Sequence, residues 1–291
     1  MGNIIEIKNL TKHYGKHRGV ENISFSVEEG DIFAFLGLNG AGKSTTIRSM
    51  LGMIGFDGGS IRIMGKDAVT EKVDILKEIG YMPSETMFYP SMRVKEVIQF
   101  AADMRGMDCR QEAQRLCERL QVDTGKRIRE LSLGNRKKVS IVCALQHQPK
   151  LLILDEPTSG LDPLMQEVFF QLLQEANQKG TTCFLSSHVL SEVKKYCRNA
   201  AIIKNGKLLK VDSVENLSHT GLRLVKLWKD GKEESFSYTG AMPQLLQKLA
   251  AMEPEDVLIQ EPTLEELFMQ YYEDDGETEP AEASFAQEGK E

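Results

Sequence analysis

Residues 37–45 read GLNGAGKST, and this stretch decides the fold. It follows residues 31–36, DIFAFL, an apolar run typical of a buried strand, and it precedes residues 45–51, whose apolar positions have helical spacing. Between a strand and a helix, the pattern G-x-x-x-x-G-K-[ST] predicts a loop whose backbone N–H groups bind phosphates. The alternative is a structural glycine turn that carries Lys-Ser by coincidence, and both flanks argue against it. The sequence therefore predicts a nucleotide-binding protein with an α/β fold.

The side chains of this loop have the chemistry that a nucleoside triphosphate with Mg²⁺ requires. Its three glycines let the backbone turn tightly and bring bare N–H groups up to a ligand. Lys43 is expected to reach the β- and γ-phosphates, and Ser44 to offer its hydroxyl to Mg²⁺. Thr45 is expected to donate to a further phosphate oxygen.

The composition limits the function classes. The chain has 291 residues, enough for one large α/β domain with an appendage or for two small domains. Its formal net charge of -7 argues against nucleic acid as the main partner. Its five cysteines form no C-x-x-C pair, so they are interpreted as thiols in a reducing compartment. No secretory signal is recognised at the N-terminus, and no apolar run approaches the roughly 18 residues of a membrane helix. A membrane role would therefore depend on a partner.

Two carboxylates follow a second apolar run. Residues 151–154, LLIL, predict a fully buried strand, and Asp155 and Glu156 come next. Because ligands gather at the carboxyl ends of parallel strands, both are expected to face the phosphates, Asp155 holding Mg²⁺ through water and Glu156 taking a proton from an attacking water. An acidic helix cap is the structural alternative. A third strand, residues 182–186, leads to His188, which is expected to contact the γ-phosphate, although a lone histidine is more often structural.

The N-terminal part predicts a small antiparallel layer beside the nucleotide. Residues 4–10 alternate like an edge strand, and residues 23–27 alternate again. Tyr14 lies in the turn between them, where its ring either stacks on a base or simply packs, and the residues leave both open.

A helical insert is predicted at about residues 85–148. Residues 94–120 have amphipathic helical spacing, and Ser132 fits the N-cap of a helix that ends near residue 147. The start of that helix is either a second anion site or simply a capped terminus. A cluster at the entrance is either core or an adaptable partner surface, and comprises Met82, Met87, Phe88, Tyr89 and Met92.

The chain is divided into three regions by its composition. Residues 1–217 form the predicted nucleotide-binding domain, and residues 218–272 a small α+β region that includes a helix over residues 263–272. Residues 273–291 are acidic and poor in large apolar residues, which predicts disorder.

The order of the motifs resembles that of ABC-type ATPases over roughly residues 4–215. The motifs are the phosphate loop, LSLGN at 131–135, LLILDEP at 151–157, SGLD at 159–162 and SSH at 186–188. Residues 262–268, PTLEELF, also resemble the tail of ATP-binding subunits paired with ABC-2-type permeases, which are often exporters. The resemblance implies a P-loop ABC-type ATPase fold: a mainly parallel core sheet, an antiparallel β layer and a helical insert, here with a small C-terminal α+β appendage.

The resemblance also implies a working arrangement. Two such subunits, identical or different, would close head to tail over two ATP molecules, so that Ser132 and Gly134 of one meet the γ-phosphate held by Lys43 of the other. Asp162 would lie at the seam. ATP would then shift an open–closed equilibrium, since its phosphates touch both subunits only in the closed state.

The implied function is to hydrolyse ATP and power transport, in the direction of export, through a separate membrane permease. The subunit would be peripheral, at the cytoplasmic face of the membrane, with the permease docked near residues 87–95. One alternative is a soluble ABC-type ATPase that acts on DNA or ribosomes, but the usual long coiled-coil insertions, zinc modules or tandem units are missing from the sequence. A small-molecule kinase of the P-loop class would have no need of LSLGN.

Two departures from the family pattern bear on the rate. Ser84 stands where the family has a glutamine that touches Mg²⁺ and the attacking water, so a water would have to intervene or Glu85 contribute. In LSLGN, Leu133 replaces Gly and Asn135 replaces Gln, while the phosphate-facing Ser132 and Gly134 survive. Both changes bear on rate and coupling rather than on binding. Ser84 predicts a slow or partner-dependent ATPase whose basal or coupled turnover changes when glutamine is restored at position 84.

The residues expected to contact the nucleotide are Tyr14, Gly37, Leu38, Asn39, Gly40, Ala41, Gly42, Lys43, Ser44, Thr45, Thr46, Ser132 and Gly134. The expected catalytic residues are Glu156 and His188. The expected metal ligands are Ser44 and Asp155, with Ser84 able to reach the metal only through a water.

Overall fold

A computed structural model describes residues 2–15, 17–218, 222–229 and 231–260. The chain divides into two compact units, residues 1–216 and 217–291, and each is described by itself. The helix predicted over residues 263–272 and the acidic tail predicted over residues 273–291 lie outside the described residues.

The first unit alternates strands and helices. Its strands are β1 (Asn3–Tyr14), β2 (His17–Glu28), β3 (Ile32–Leu36), β4 (Gly58–Ile63), β5 (Lys66–Asp67), β6 (Ile79–Met82), β7 (Leu151–Asp155), β8 (Thr182–Ser187), β9 (Asn199–Lys204) and β10 (Lys207–Ser213). Its helices are α1 (Lys43–Met50), α2 (Lys72–Lys77), α3 (Val94–Asp103), α4 (Arg110–Arg119), a 3₁₀ turn (Ile128–Glu130), α5 (Leu133–Leu145), α6 (Pro163–Gln178) and α7 (Leu190–Tyr196), with α8 (Val214–Ser218) at the boundary.

A six-stranded sheet forms the centre of this unit, in the order β10-β9-β3-β8-β7-β6. Neighbouring strands in this sheet run parallel, except that β10 pairs antiparallel with β9. Every residue of β3, β7 and β8 is buried, as expected for strands with both faces covered. The register places Leu36 opposite Ser187 and Asp155 opposite Ser186. The carboxyl ends of three adjacent strands therefore meet at one edge of the sheet.

An antiparallel sheet in the order β2-β1-β4-β5 lies beside it. Because β4 pairs with the other side of β1, the prediction that residues 4–10 form an edge strand is wrong. The alternation arises from burial of one face of an interior strand. The ring of Phe25 in β2 stacks on Phe33 of β3 at 5.7 Å and on Phe184 of β8 at 6.0 Å, so the two sheets share one core.

The helical insert comprises α3, α4, the 3₁₀ turn and α5. The helical pattern over residues 94–120 corresponds to two helices, because the chain is broken between Asp103 and Arg110. Gly106 adopts φ +66° in this break, a left-handed conformation that favours glycine. The break lets α3 and α4 both pack on α5. Among the described residues, no helix has both the length and the apolar composition of a membrane span.

His147 makes the stability of this unit sensitive to acid. Its Nε2 lies 3.2 Å from the Ile79 carbonyl oxygen, and burial, aided by the charge of Arg105, lowers its pKa to about 4. Because its pKa in the unfolded chain is about 6.5, the unfolded state binds the proton first, and stability is lost as the pH falls from 6.5 towards 4.

The expected result is a loss of roughly 2 kcal/mol in the free energy of unfolding between pH 7 and pH 5 from this group. Urea titrations at both pH values measure it, and a His147→Gln variant should show a correspondingly smaller pH dependence. An equal pH dependence in the variant and the wild type would contradict this assignment.

The second unit is a small α+β fold of β11 (Leu222–Lys229), β12 (Lys232–Thr239), α9 (Met242–Met252) and β13 (Asp256–Gln260). The sheet order is β12-β11-β13, with antiparallel pairing throughout. Val225 and Leu227 of β11 form a buried cluster with Leu245 and Leu249 of α9. The helix covers one face of the sheet because its apolar positions recur at a spacing of four residues.

Candidate functional site

The loop of residues 37–42 joins β3 to α1 at the edge where the strand ends meet. Gly40 and Gly42 have φ of +80° and +111°, and a Cβ on Gly37 would lie 2.7 Å from the Ile203 carbonyl oxygen. Three glycines are therefore required by backbone conformation or by close approach. The loop leads directly into the N-terminus of α1, whose free N–H groups favour an anion.

A cavity of about 300 Å³ opens beside this loop. It is lined by Tyr14, Gly19, Asn39, Gly40, Gly42, Lys43, Ser44, Thr45, Ser84 and Glu156. Most of the residues expected to contact the nucleotide are thus brought together. Thr46 is fully buried and its hydroxyl donates to the Gly42 carbonyl oxygen at 3.1 Å, so its side chain supports the first turn of α1.

Lys43 is buried at the centre of the cavity wall. Its Nζ donates to the carbonyl oxygens of Gly37 at 2.5 Å and Leu38 at 3.2 Å, and lies 3.0 Å from Glu156 Oε1. Glu156 is the one counter-charge in contact with this ammonium among the described residues. A phosphate that takes the ammonium of Lys43 must therefore compete with a carboxylate.

Ser186 holds the two acidic residues at the end of β7, Asp155 by its carboxylate and Glu156 by its backbone. Its hydroxyl donates to Asp155 Oδ1 at 2.6 Å and accepts from the backbone N–H of Glu156 at 3.0 Å. Glu156 has φ +49°, a strained conformation for a residue with a side chain, and its Oε2 lies 2.7 Å from His188 Nδ1. Its carboxylate therefore bridges Lys43 and His188.

The oxygen atoms of Ser44 and Asp155 suit Mg²⁺. No group of three or more His, Cys, Asp or Glu side chains in the described part of the chain could hold a metal alone. Mg²⁺, however, is commonly held by one or two carboxylates together with substrate phosphates. A buried carboxylate fixed by Ser186, with a hydroxyl on the wall of the phosphate cavity, fits that donor set.

Ser132 and Gly134 do not line this cavity. Ser132 caps α5, its Oγ accepting from the Asn135 N–H at 3.3 Å. A Cβ on Gly134 would lie 2.7 Å from the Gly160 carbonyl oxygen, so the start of α5 packs against the SGLD segment. In that segment Asp162 caps α6, with Oδ1 accepting from the Met165 N–H at 3.0 Å. The start of α5 thus lies apart from the phosphate loop on the same chain.

Three residues of the site were missed by sequence reasoning. Gly19 lies against the ring of Tyr14, since a Cβ there would be 3.0 Å from that ring, and Tyr14 is 45% exposed on the cavity wall. Ser186 lies in the SSH motif and is paired with Asp155, so strand pairing could have identified it. Lys137 donates to the Ser84 carbonyl oxygen at 2.9 Å, and nothing in its basic run indicated burial.

Comparisons with known proteins agree with this geometry. The family model described as "ABC transporter" matches residues 20–159. The chain is 39% identical over 212 residues to the bacitracin transport ATP-binding protein BcrA of Bacillus licheniformis, which covers 72% of this chain and 69% of that protein. The chain belongs to the ABC transporter ATP-binding family. The linearmycin resistance ATP-binding protein LnrL of Bacillus subtilis is 32% identical to this family member over 240 residues, covering 80% of this chain and 77% of that one.

Solved structures give the same result. A structure described as the ATP binding subunit of an ABC transporter has a TM-score of 0.69 and 30% identity, covering 74% of this chain and 91% of that chain. The predicted P-loop ABC ATPase fold is confirmed, and so is the predicted function as the ATP-hydrolysing subunit of an ABC transporter. The comparisons give no support to the alternative of a soluble ATPase acting on DNA or ribosomes.

Proposed function

We propose that two such subunits pair head to tail on a separate membrane permease and power export. The separation of the two anion sites carries this proposal. The start of α5 at Ser132 and Gly134 is exposed or half-buried and lies outside the cavity that holds Lys43. A second subunit, turned head to tail, would bring the start of its α5 to the nucleotide of the first. Each cavity would then be completed by the other subunit.

Within one cavity, the residues divide the chemistry. Lys43 and the loop N–H groups bind the β- and γ-phosphates, while Tyr14 stacks on the base. Ser44 and Asp155 would hold Mg²⁺, which neutralises phosphate charge when bound. Glu156 takes the proton from the attacking water, and His188, 2.7 Å from Glu156 Oε2, orients that carboxylate and faces the γ-phosphate.

The ion pair between Lys43 and Glu156 links binding to catalysis. Because the γ-phosphate and Glu156 compete for one ammonium, engagement of Lys43 by phosphate releases Oε1 of Glu156. The released carboxylate keeps its contact with His188. Binding thereby frees the general base at the moment when it has a substrate.

The entrance of the helical insert is the proposed docking surface for the permease. Met87 and Tyr89 are 89% and 73% exposed, while Met82 is fully buried in the core. Exposed Met side chains repack readily against a partner helix. This surface, at the cytoplasmic face of the membrane, would transmit closure of the pair to the permease. Export is proposed because LnrL is named for resistance, which a cell gains when the compound leaves it.

Co-expression with a candidate ABC-2-type permease tests the proposal. The wild-type chain is expected to sediment with membranes only when that protein is present, and a Met87→Asp variant to remain in the supernatant. Met53→Asp, at a residue that is 54% exposed elsewhere, serves as the matched control and should sediment like the wild type. A wild-type chain that never sediments with the permease, or a Met87→Asp variant that still does, would overturn it.

A further inference from the structure

Lys137 is a buried lysine that the chemistry described above does not use. It lies in the first turns of α5, five residues after Ser132, and is 1% exposed. Its Nζ donates to the Ser84 carbonyl oxygen at 2.9 Å, the only hydrogen bond of its side chain among the described residues. A buried ammonium is costly unless it is bonded or near negative charge, so its position requires an explanation.

Ser84 lies on the wall of the nucleotide cavity, and Lys137 lies behind that wall. Burial lowers the pKa of Lys137, while the negative charges of Glu156 and Asp155 raise it. Burial, together with the same Asp155 charge, raises the pKa of Tyr81 to about 12. The ammonium is therefore held within the field of the two carboxylates that serve the phosphates.

The loop after β6 receives this hydrogen bond from α5. In the part of the chain that the structure describes, residues 83–88 form no hydrogen bond other than the one from Lys137, and the Thr86 hydroxyl is buried without a partner. The neighbouring lysine on the same helix, Lys138, is 9% exposed and makes no such bond. Lys137 alone among these basic residues fastens the loop to α5.

We propose that Lys137 is a positioning residue. Its hydrogen bond ties the cavity wall at Ser84 to α5, so that a nucleotide bound beside Ser84 determines where Ser132 and Gly134 lie. The tie uses the backbone carbonyl of Ser84, so it does not depend on the side chain at that position. The role of α5 in meeting the partner's nucleotide rests on the proposed function. The tie itself is a property of one subunit.

Two substitutions at Lys137 and one at its neighbour test the tie. Lys137→Met keeps the length and removes the charge, Lys137→Arg keeps the charge, and Lys138→Met is the matched control. Steady-state ATPase assays on the subunit–permease complex should show kcat about tenfold lower in Lys137→Met, with KM for Mg-ATP changed by less than about threefold. Lys137→Arg should recover at least half of the wild-type kcat, and Lys138→Met should match the wild type.

Thermal unfolding separates positioning from a structural role. Burial of a charge is costly and methionine carries none, so the Tm of Lys137→Met should be close to that of the wild type. A lower Tm with no recovery in Lys137→Arg would assign Lys137 a structural role and overturn the proposal. A kcat of Lys137→Met equal to that of Lys138→Met would also overturn it.

Hydrogen exchange on the single subunit keeps this test independent of pairing. In Lys138→Met, Mg-ATP should protect the amides of residues 84–88 and those of the first turn of α5 together. In Lys137→Met, it should protect only the amides of the phosphate loop. If the subunits never pair, the proposed function fails, yet this exchange pattern can still hold. If the subunits pair but the two variants show the same exchange pattern, the proposal for Lys137 is contradicted while the proposed function stands.

Discussion

A Glu156→Gln variant is expected to bind ATP and to hydrolyse it about 10²- to 10⁴-fold more slowly than the wild type, which is the usual contribution of a general base. The Glu156 side chain is 15% exposed, and its Oε2 lies 2.7 Å from His188 Nδ1. An amide of the same size fills the same space but cannot take a proton from water. Release of phosphate under single-turnover conditions measures the chemical step directly.

The same variant is expected to bind ATP more tightly than the wild type. Glu156 Oε1 lies 3.0 Å from Lys43 Nζ, so a neutral amide removes the carboxylate that competes with phosphate for this ammonium. Calorimetry with Mg-ATP measures the affinity, and size-exclusion chromatography should show pairing in its presence. Glu167→Gln, which removes an exposed carboxylate paired with Lys195, is the control and should behave as the wild type. A variant that keeps more than a tenth of the wild-type rate would contradict the role of Glu156.

The sequence was sufficient to predict that the site residues lie close together, because this prediction does not depend on the order of the strands in the sheet. Parallel strands place their carboxyl ends at one edge, so residues that follow buried apolar runs meet there whichever strands are neighbours. The observed pairs, Leu36 with Ser187 and Asp155 with Ser186, bring the phosphate loop and the carboxylates together in this way. Local patterns were sufficient because the chemistry begins where each strand stops.

The features that sequence reasoning missed depend on contacts distant in the chain. The second partner of β1 lies about 50 residues away in β4, and alternation alone does not reveal whether one or both edges are paired. Lys137 is separated by 53 residues from Ser84, the group that it holds. Within an exposed-looking basic run, burial is decided by how α5 packs against the loop after β6, which no local pattern records.

Lys43→Met is expected to weaken ATP binding by about 10²-fold or more. A hydrogen bond to a charged group contributes about 1.5–3 kcal/mol, and one ammonium that contacts two phosphates provides more than one such bond. Calorimetry with Mg-ATP measures the loss. Lys150→Met, at an exposed lysine paired with Glu78, is the control and should bind like the wild type. An affinity within tenfold of the wild type would contradict the role of Lys43.

The stability of the same variant tests the ion pair independently of the nucleotide. Lys43→Met removes the ammonium in contact with the largely buried carboxylate of Glu156, and loss of this counter-charge should cost at least about 1 kcal/mol in the free energy of unfolding. The double variant Lys43→Met, Glu156→Gln removes both charges and should recover most of that loss. Urea unfolding of the wild type, the two single variants and the double variant completes the cycle. Strictly additive effects would mean that the two charges do not interact, and the competition between phosphate and Glu156 for Lys43 would then have no basis.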